Sequence, residues 1–159
     1  MSRDALERAL PAGDRVLLDS TSLIAYLNNG ERVSPVAIHV IDQLVRSGRN
    51  PAIVSMVSVM ECLIRPIKKG PEAYDNVLDF LAHFPNLKPQ VIDLAVAQEA
   101  AGIRATFDFS PPDSLVIATG VIAQVGHLVT NDLRWKRQLQ GHRISKRIKV
   151  VYLEDFIPL

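Results

Sequence analysis

Cys62 is the only cysteine in the chain, so no intrachain disulfide can form, and nothing points to an oxidising compartment. Beside Glu61 in an apolar helical stretch, that thiol reads as a small core residue rather than a nucleophile. Aromatic residues are 6% of the chain, against 48% for all hydrophobic types. Val, Ile, Leu and Ala supply the apolar content, as in a sheet covered by helices on both faces. Long hydrophobic runs are missing too. The longest, 115–129, is interrupted by Thr119, Gly120, Gln124, Gly126 and His127, too short and too polar to span a bilayer. The first ten residues carry Asp4 and Glu7 and lack the apolar centre of a secretion signal. A soluble, cytoplasmic protein is expected. Neither charge dominates: 18 Lys and Arg face 17 Asp and Glu, a formal net charge of +1. Whole-molecule electrostatics therefore give no case for nucleic acid.

What is present is a regular alternation. The 159 residues suit one domain, without internal repeat, linker or low-complexity stretch. Residues 2–10 suggest a short helix closed by Pro11-Ala12-Gly13, and 1–14 read as an extension ahead of the first strand. Strands are expected at 15–18, 52–55, 90–92, 127–130 and 148–153, with Pro85 and Pro89 bracketing a loop. Helical patterns start near Ser22, at Ser34-Pro35, at Val57 (bent or broken by Pro66), at Gly70-Pro71, after Asp93, at Asp113 and near Asn131. Strands alternating with helices over 15–159 predict one parallel α/β domain.

Asp19, Glu61, Asp113 and Asp132 each lie near a transition from a strand-like run to a helical pattern. Segments leaving the C-terminal ends of parallel strands open onto a common crevice, so four distant carboxylates can meet there. Such an acidic, oxygen-rich pocket suits a hard cation, Mg²⁺ or Mn²⁺. Singly, each acid has a plainer explanation. Asp113 and Asp132 would cap helix N-termini, and Glu61 follows Ser58 at capping-box spacing. Capping does not require acids after so many strands, however, and hydroxyls at Ser20, Thr21, Ser22 and Ser114 are suited to bonding such ligands. Arg134, Lys136, Arg137, Arg143, Lys146, Arg147 and Lys149 follow with no acid among them. That tract is either a phosphate-backbone footprint or an ordinary solvated face.

Four ordered motifs resemble the PIN-domain ribonucleases, in particular the VapC-type toxins. They are Leu18-Asp19-Ser20-Thr21-Ser22, Ser55 and Ser58 ahead of Glu61, Pro112-Asp113-Ser114, and Thr130-Asn131-Asp132. The likeness runs from about Arg15 to Leu153. It implies a three-layer α/β/α sandwich with a five-stranded parallel sheet in order 3-2-1-4-5. Asp19, Asp113 and Asp132 would hold Mg²⁺ or Mn²⁺, with Glu61 across the pocket. Thr21, Thr130 and Asn131 would support the ligands, and Arg134, Lys136 and Arg137 would hold RNA phosphates. The implied reaction is hydrolysis of RNA to 5′-phosphate and 3′-hydroxyl ends. The implied partners are an antitoxin, with a basic side chain entering the pocket, and a second copy of the chain pairing through 36–45 and 74–84. A haloacid-dehalogenase-like phosphatase would need a second Asp where Thr21 stands. A phospho-receiver would use an Asp after strand three, where Asp93 looks like a cap. A non-catalytic RNA-binding or protein-interaction module on the same fold stays open.

Overall fold

In the computed structural model, which describes residues 3–139 and 147–157, five parallel strands form one sheet in the order β3-β2-β1-β4-β5. The elements run α1 (Arg3–Ala9), β1 (Val16–Leu18), α2 (Ser20–Asn28), α3 (Ser34–Ile38, continuing as a π-helical segment, His39–Val45) and β2 (Ala52–Ser55). Next come α4 (Met56–Lys69), α5 (Pro71–His83), β3 (Leu87–Gln90), α6 (Leu94–Thr106) and α7 (Pro111–Ile122). β4 (His127–Thr130), α8 (Arg134–Gln138), β5 (Lys149–Tyr152) and a 3₁₀ turn (Leu153–Phe156) complete the described chain.

Alternation along β1 sorts the layers. Val16 and Leu18 face a core built with Leu23, Val36, Ile41, Leu44 and Leu81, from α2, α3 with its π-helical continuation, and α5. Leu17 points the other way, into a core with Val96, Ile103, Ile117 and Trp135 from α6–α8. Both faces are covered, which is why β1 is aliphatic throughout and fully buried. Register then aligns the strand ends: Leu18 pairs with Val54 on one side and Val129 on the other. The next residues, Asp19, Ser55 and Thr130, consequently lie along one edge of the sheet.

Several boundaries differ from expectation. β3 is Leu87–Gln90 rather than 90–92, with Pro89 opposite Val54. A proline lacks the amide that ladder pairing needs, but β3 is an edge strand and has only one neighbour to satisfy. α4 runs through Pro66 to Lys69. α7 starts at Pro111 under a Ser110 cap, not at Asp113, since proline is pre-organised for the first helical turn. Gly120 in α7 is explained by crowding: a Cβ there would meet Ile148 and Val125 at 3.2 Å. Of the faces expected to pair two copies, that of 36–45 is engaged within the chain and that of 74–84 only in part, with Leu81 buried and Leu78 exposed. Val36, Val40, Ile41 and Leu44 are buried, and Phe80 stacks on Tyr26 with ring centroids 5.2 Å apart. No described helix is long and apolar enough to cross a membrane.

The leading segment packs as part of this core. Leu6 and Leu10 are fully buried. Arg49 donates to the carbonyls of Leu10 (2.7 Å) and Glu7 (3.1 Å), while the Asn50 amide donates to those of Pro11 and Asp14. Leu6→Ala is expected to cost about 2–5 kcal/mol, the range for a buried leucine truncated to alanine. Urea unfolding measures it, and a loss well below that range would show α1 to be a loosely held appendage.

Candidate active site

Asp19 ends β1 and caps α2, its extended backbone conformation turning the carboxylate back toward the first helical turn. Oδ1 accepts from the Ser22 amide at 2.9 Å, Oδ2 accepts from the Thr130 hydroxyl at 2.5 Å, and the Thr21 hydroxyl lies 2.9 Å from both oxygens. The two threonines are themselves held. Thr21 Oγ1 accepts from the Asn131 amide (2.7 Å) and Thr130 Oγ1 from the Asp132 amide (2.9 Å). The end of β4 is thereby tied to the start of α2. Asp19 is only 4% exposed, and burial pushes its carboxyl up to about 6 against the opposing pull of these hydrogen bonds.

Asp113 stands in the first turn of α7. Its amide donates to Ser110 Oγ (3.2 Å), and the Ser110 hydroxyl donates to Asp113 Oδ2 (2.7 Å). The cap is Ser110, so the carboxylate of Asp113 is not consumed in capping. Glu61 lies within α4, whose cap is Ser55 and not Ser58. Ser58 is instead fully buried, and its hydroxyl has no hydrogen-bond partner. Asp132 follows β4, and Arg134 forks onto it: Nε lies 2.9 and 3.0 Å from the two carboxylate oxygens, and Nη2 also donates to Oδ2. That guanidinium holds the Asp132 carboxyl below the usual carboxylate range.

Asp19, Glu61, Asp113 and Asp132 line one cleft of about 260 Å³ together with Ser58, Thr21 and Arg134. As placed, no three His, Cys, Asp or Glu side chains among the described residues form a ready-made cluster for a metal ion. The donor chemistry nevertheless fits a hard divalent cation and its waters: carboxylate oxygens with no sulfur or imidazole in the lining, and the unpartnered Ser58 hydroxyl beside them. Thr21 and Thr130 sit on Asp19, and Asn131 reaches the network through its backbone amide. An apolar groove of about 390 Å³ between α2, α4 and α5, lined by Leu27, Ile64, Pro66 and Val77, shares Ile24 and Glu61 with the cleft. Cys62 beneath it has its thiol pushed up to about 12 by burial, with the Asp19 and Glu61 charges adding to the shift.

The basic tract is less available than its composition suggests. Arg134 is on Asp132, Lys136 reaches Asp155 at 2.5 Å and lies over the Tyr152 ring, and Arg147 pairs with Glu99 at 3.1 Å. Arg137 and Lys149 are exposed. Arg143 and Lys146 lie outside the described residues. The Ser110 cap and the Arg134 fork were the features that sequence reasoning missed; Ser110-Pro111 was the available signal for the first.

The family model of the PIN domain matches residues 16–138. No curated protein matches the chain. Solved structures share the fold at low identity. A toxin–antitoxin complex from Klebsiella pneumoniae has a TM-score of 0.63 at 18% identity, covering 87% of this chain and 97% of that one. VapBC2 from Rickettsia felis, bound to a DNA fragment from their promoter, gives 0.60 at 16%, covering 86% and 98%. Mycobacterium tuberculosis VapC20, a Sarcin-Ricin loop cleaving toxin, gives 0.63 at 12%, covering 77% and 93%.

The buried Asp19 generates a pH dependence with a definite sign. Its folded value of about 6 lies above the ordinary aspartate value of 3.8, so the folded state holds this proton more tightly than the unfolded chain. Its contribution to stability is full below about pH 4, falls as pH rises, and is lost above about pH 6, a span of roughly 3 kcal/mol. Asp19→Asn should remove that part of the slope. Urea midpoints of both proteins at pH 4, 5, 6 and 7.5, without divalent ions, measure it; parallel profiles would show that Asp19 is not the group responsible.

Proposed function

The chain belongs to the PIN domain family, and from that membership we propose that it is a metal-dependent endoribonuclease, the toxin of a toxin–antitoxin pair. The observation that carries this reading is the cleft itself. Four carboxylates delivered by separate segments at the same end of the sheet face one cavity, and the central one is buried and fixed by two threonines. A structural cap has no need of that convergence.

Asp19, Asp113 and Asp132 would hold Mg²⁺ or Mn²⁺, with Glu61 bonding to the water shell from α4. A divalent cation there would acidify the attacking water and offset charge on the phosphate. Thr21 and Thr130 keep the Asp19 carboxylate at one orientation, and Asn131 fixes Thr21 through its amide. Ser58 offers a buried hydroxyl to a water at the floor of the cleft. In the reaction, the water oxygen bonds to phosphorus and the bond from phosphorus to the 3′ oxygen breaks. This leaves 5′-phosphate and 3′-hydroxyl ends, with Glu61 accepting the water's proton and a solvent water giving one to the departing 3′ oxygen. Arg137, exposed on α8, would hold a phosphate beyond the scissile bond; Arg134 and Lys136 would first have to leave their carboxylates. An antitoxin's basic side chain would pair with Asp19 and Asp113, and the apolar groove sharing Ile24 and Glu61 would seat the adjoining segment of that partner. The solved complexes of similar fold support such a partner.

With Mg²⁺ or Mn²⁺ the protein should cleave RNA, and chelation should abolish cleavage. Asp19→Asn should lose activity, and Thr130→Val should lose about 10- to 100-fold, the usual range for a residue that orients a metal ligand. In the same assay, the product of an adjacent small reading frame should suppress cleavage. Gel analysis of end-labelled RNA measures all of these; wild-type cleavage by Asp19→Asn would refute the mechanism.

The phosphate footprint has its own measurement. Arg137→Gln with Lys136→Gln should weaken RNA binding. The slope of log affinity against log salt should flatten by about 0.7 for each phosphate no longer neutralised. An unaltered slope would mean that these charges form a solvated surface, and would favour other contacts for the RNA.

A further inference from the structure

Among the described residues that line the acid cleft, Arg134 alone is basic. Its contact with Asp132 is lopsided. The Asp132 side chain is 12% exposed and the Arg134 side chain 72%. Asp132 is also anchored by its own amide on Thr130 Oγ1 at 2.9 Å and by the Arg134 backbone amide on Oδ1 at 2.9 Å. Only the guanidinium is free to swing out, and both carboxylate oxygens are engaged while it stays. We propose that Arg134 is a displaceable counter-ion: a positioning residue that occupies Asp132 until a divalent cation takes its place, and so sets the affinity of the cleft for that cation. The inference rests on the metal-dependent reading given above.

The chemistry is competition for one carboxylate. A planar guanidinium matches both oxygens of a carboxylate in a fork, and those are the lone pairs a cation requires. The backbone amide of Arg134 stays on Oδ1 when the side chain leaves, so Asp132 would keep its orientation as the guanidinium gives way. Lys136 and Arg147 do not compete in this way, because they pair with Asp155 and Glu99, neither of which lines the cleft.

Titration calorimetry with Mn²⁺ alone, without RNA, tests this on wild type, Arg134→Gln, Asp132→Asn and the double variant. Arg134→Gln should tighten Mn²⁺ binding roughly two- to fivefold, the worth of an exposed ion pair. Asp132→Asn should weaken it, and Arg134→Gln should add nothing in the Asp132→Asn background. Unchanged or weaker binding by Arg134→Gln would overturn the proposal. So would an equal gain in both backgrounds, which would mark simple through-space repulsion. Either result leaves the metal-dependent reading standing, whereas absence of Mn²⁺ binding to the wild type would remove that reading and the counter-ion role with it.

Discussion

A carboxylate withdrawn from water at the end of the central strand shapes much of the cleft. Asp19 is buried where ionisation is costly, and only donors placed close to it can offset that cost. The Ser22 amide comes from its own helix and is local. The Thr130 hydroxyl comes from the neighbouring strand, and Thr21 bonds to the backbone beyond that strand. Meeting the demands of one acid therefore joins β1, α2 and β4 at their shared edge, which is also the floor of the cleft.

The register of the sheet makes this possible. Leu18, Val54 and Val129 lie side by side in adjoining strands, so the residues that follow leave the sheet at one level. Packing on both faces fixes that register, because a one-residue slip would turn Leu17 out of the α6–α8 core and send Val16 and Leu18 into it. The same crowding accounts for Gly120, where α7 approaches Leu17 at the distance of side-chain contact. Hydrophobic layering and the acid cleft thus share one set of strand positions.

The four acids are not equivalent. Asp19 is buried and held by neutral donors, Asp113 is held through the serine that caps its helix, and Asp132 carries a guanidinium. Glu61 sits within a helix on the boundary between the polar cleft and the apolar groove. A cation entering from solvent would meet carboxylates already engaged to different degrees.

The sequence by itself determined what depends on neighbouring residues. A short aliphatic run followed by an acid and hydroxyls specifies a buried strand and a capped helix, so β1, Asp19 and α2 were legible. β2 and β4 followed for the same reason. Alternation of strands and helices indicated a parallel α/β domain, and the strand order followed only from the resemblance of the four motifs to the PIN-domain ribonucleases. Only the tertiary structure decided features that depend on distant residues or on the choice of rotamer. Pro89 enters a strand because β3 lies at the sheet edge, which no local pattern shows. Ser58 becomes a buried, unpartnered hydroxyl because Ser55, held by Thr119 of another helix, takes the cap. Lys136 and Arg147 are drawn to Asp155 and Glu99, and Arg134 folds back onto Asp132, so a basic tract in sequence is partly neutralised in space. Backbone preferences act over a few residues and can be read from the chain. Charge pairing and burial act wherever folding brings groups together, so they are settled only when the sheet is assembled.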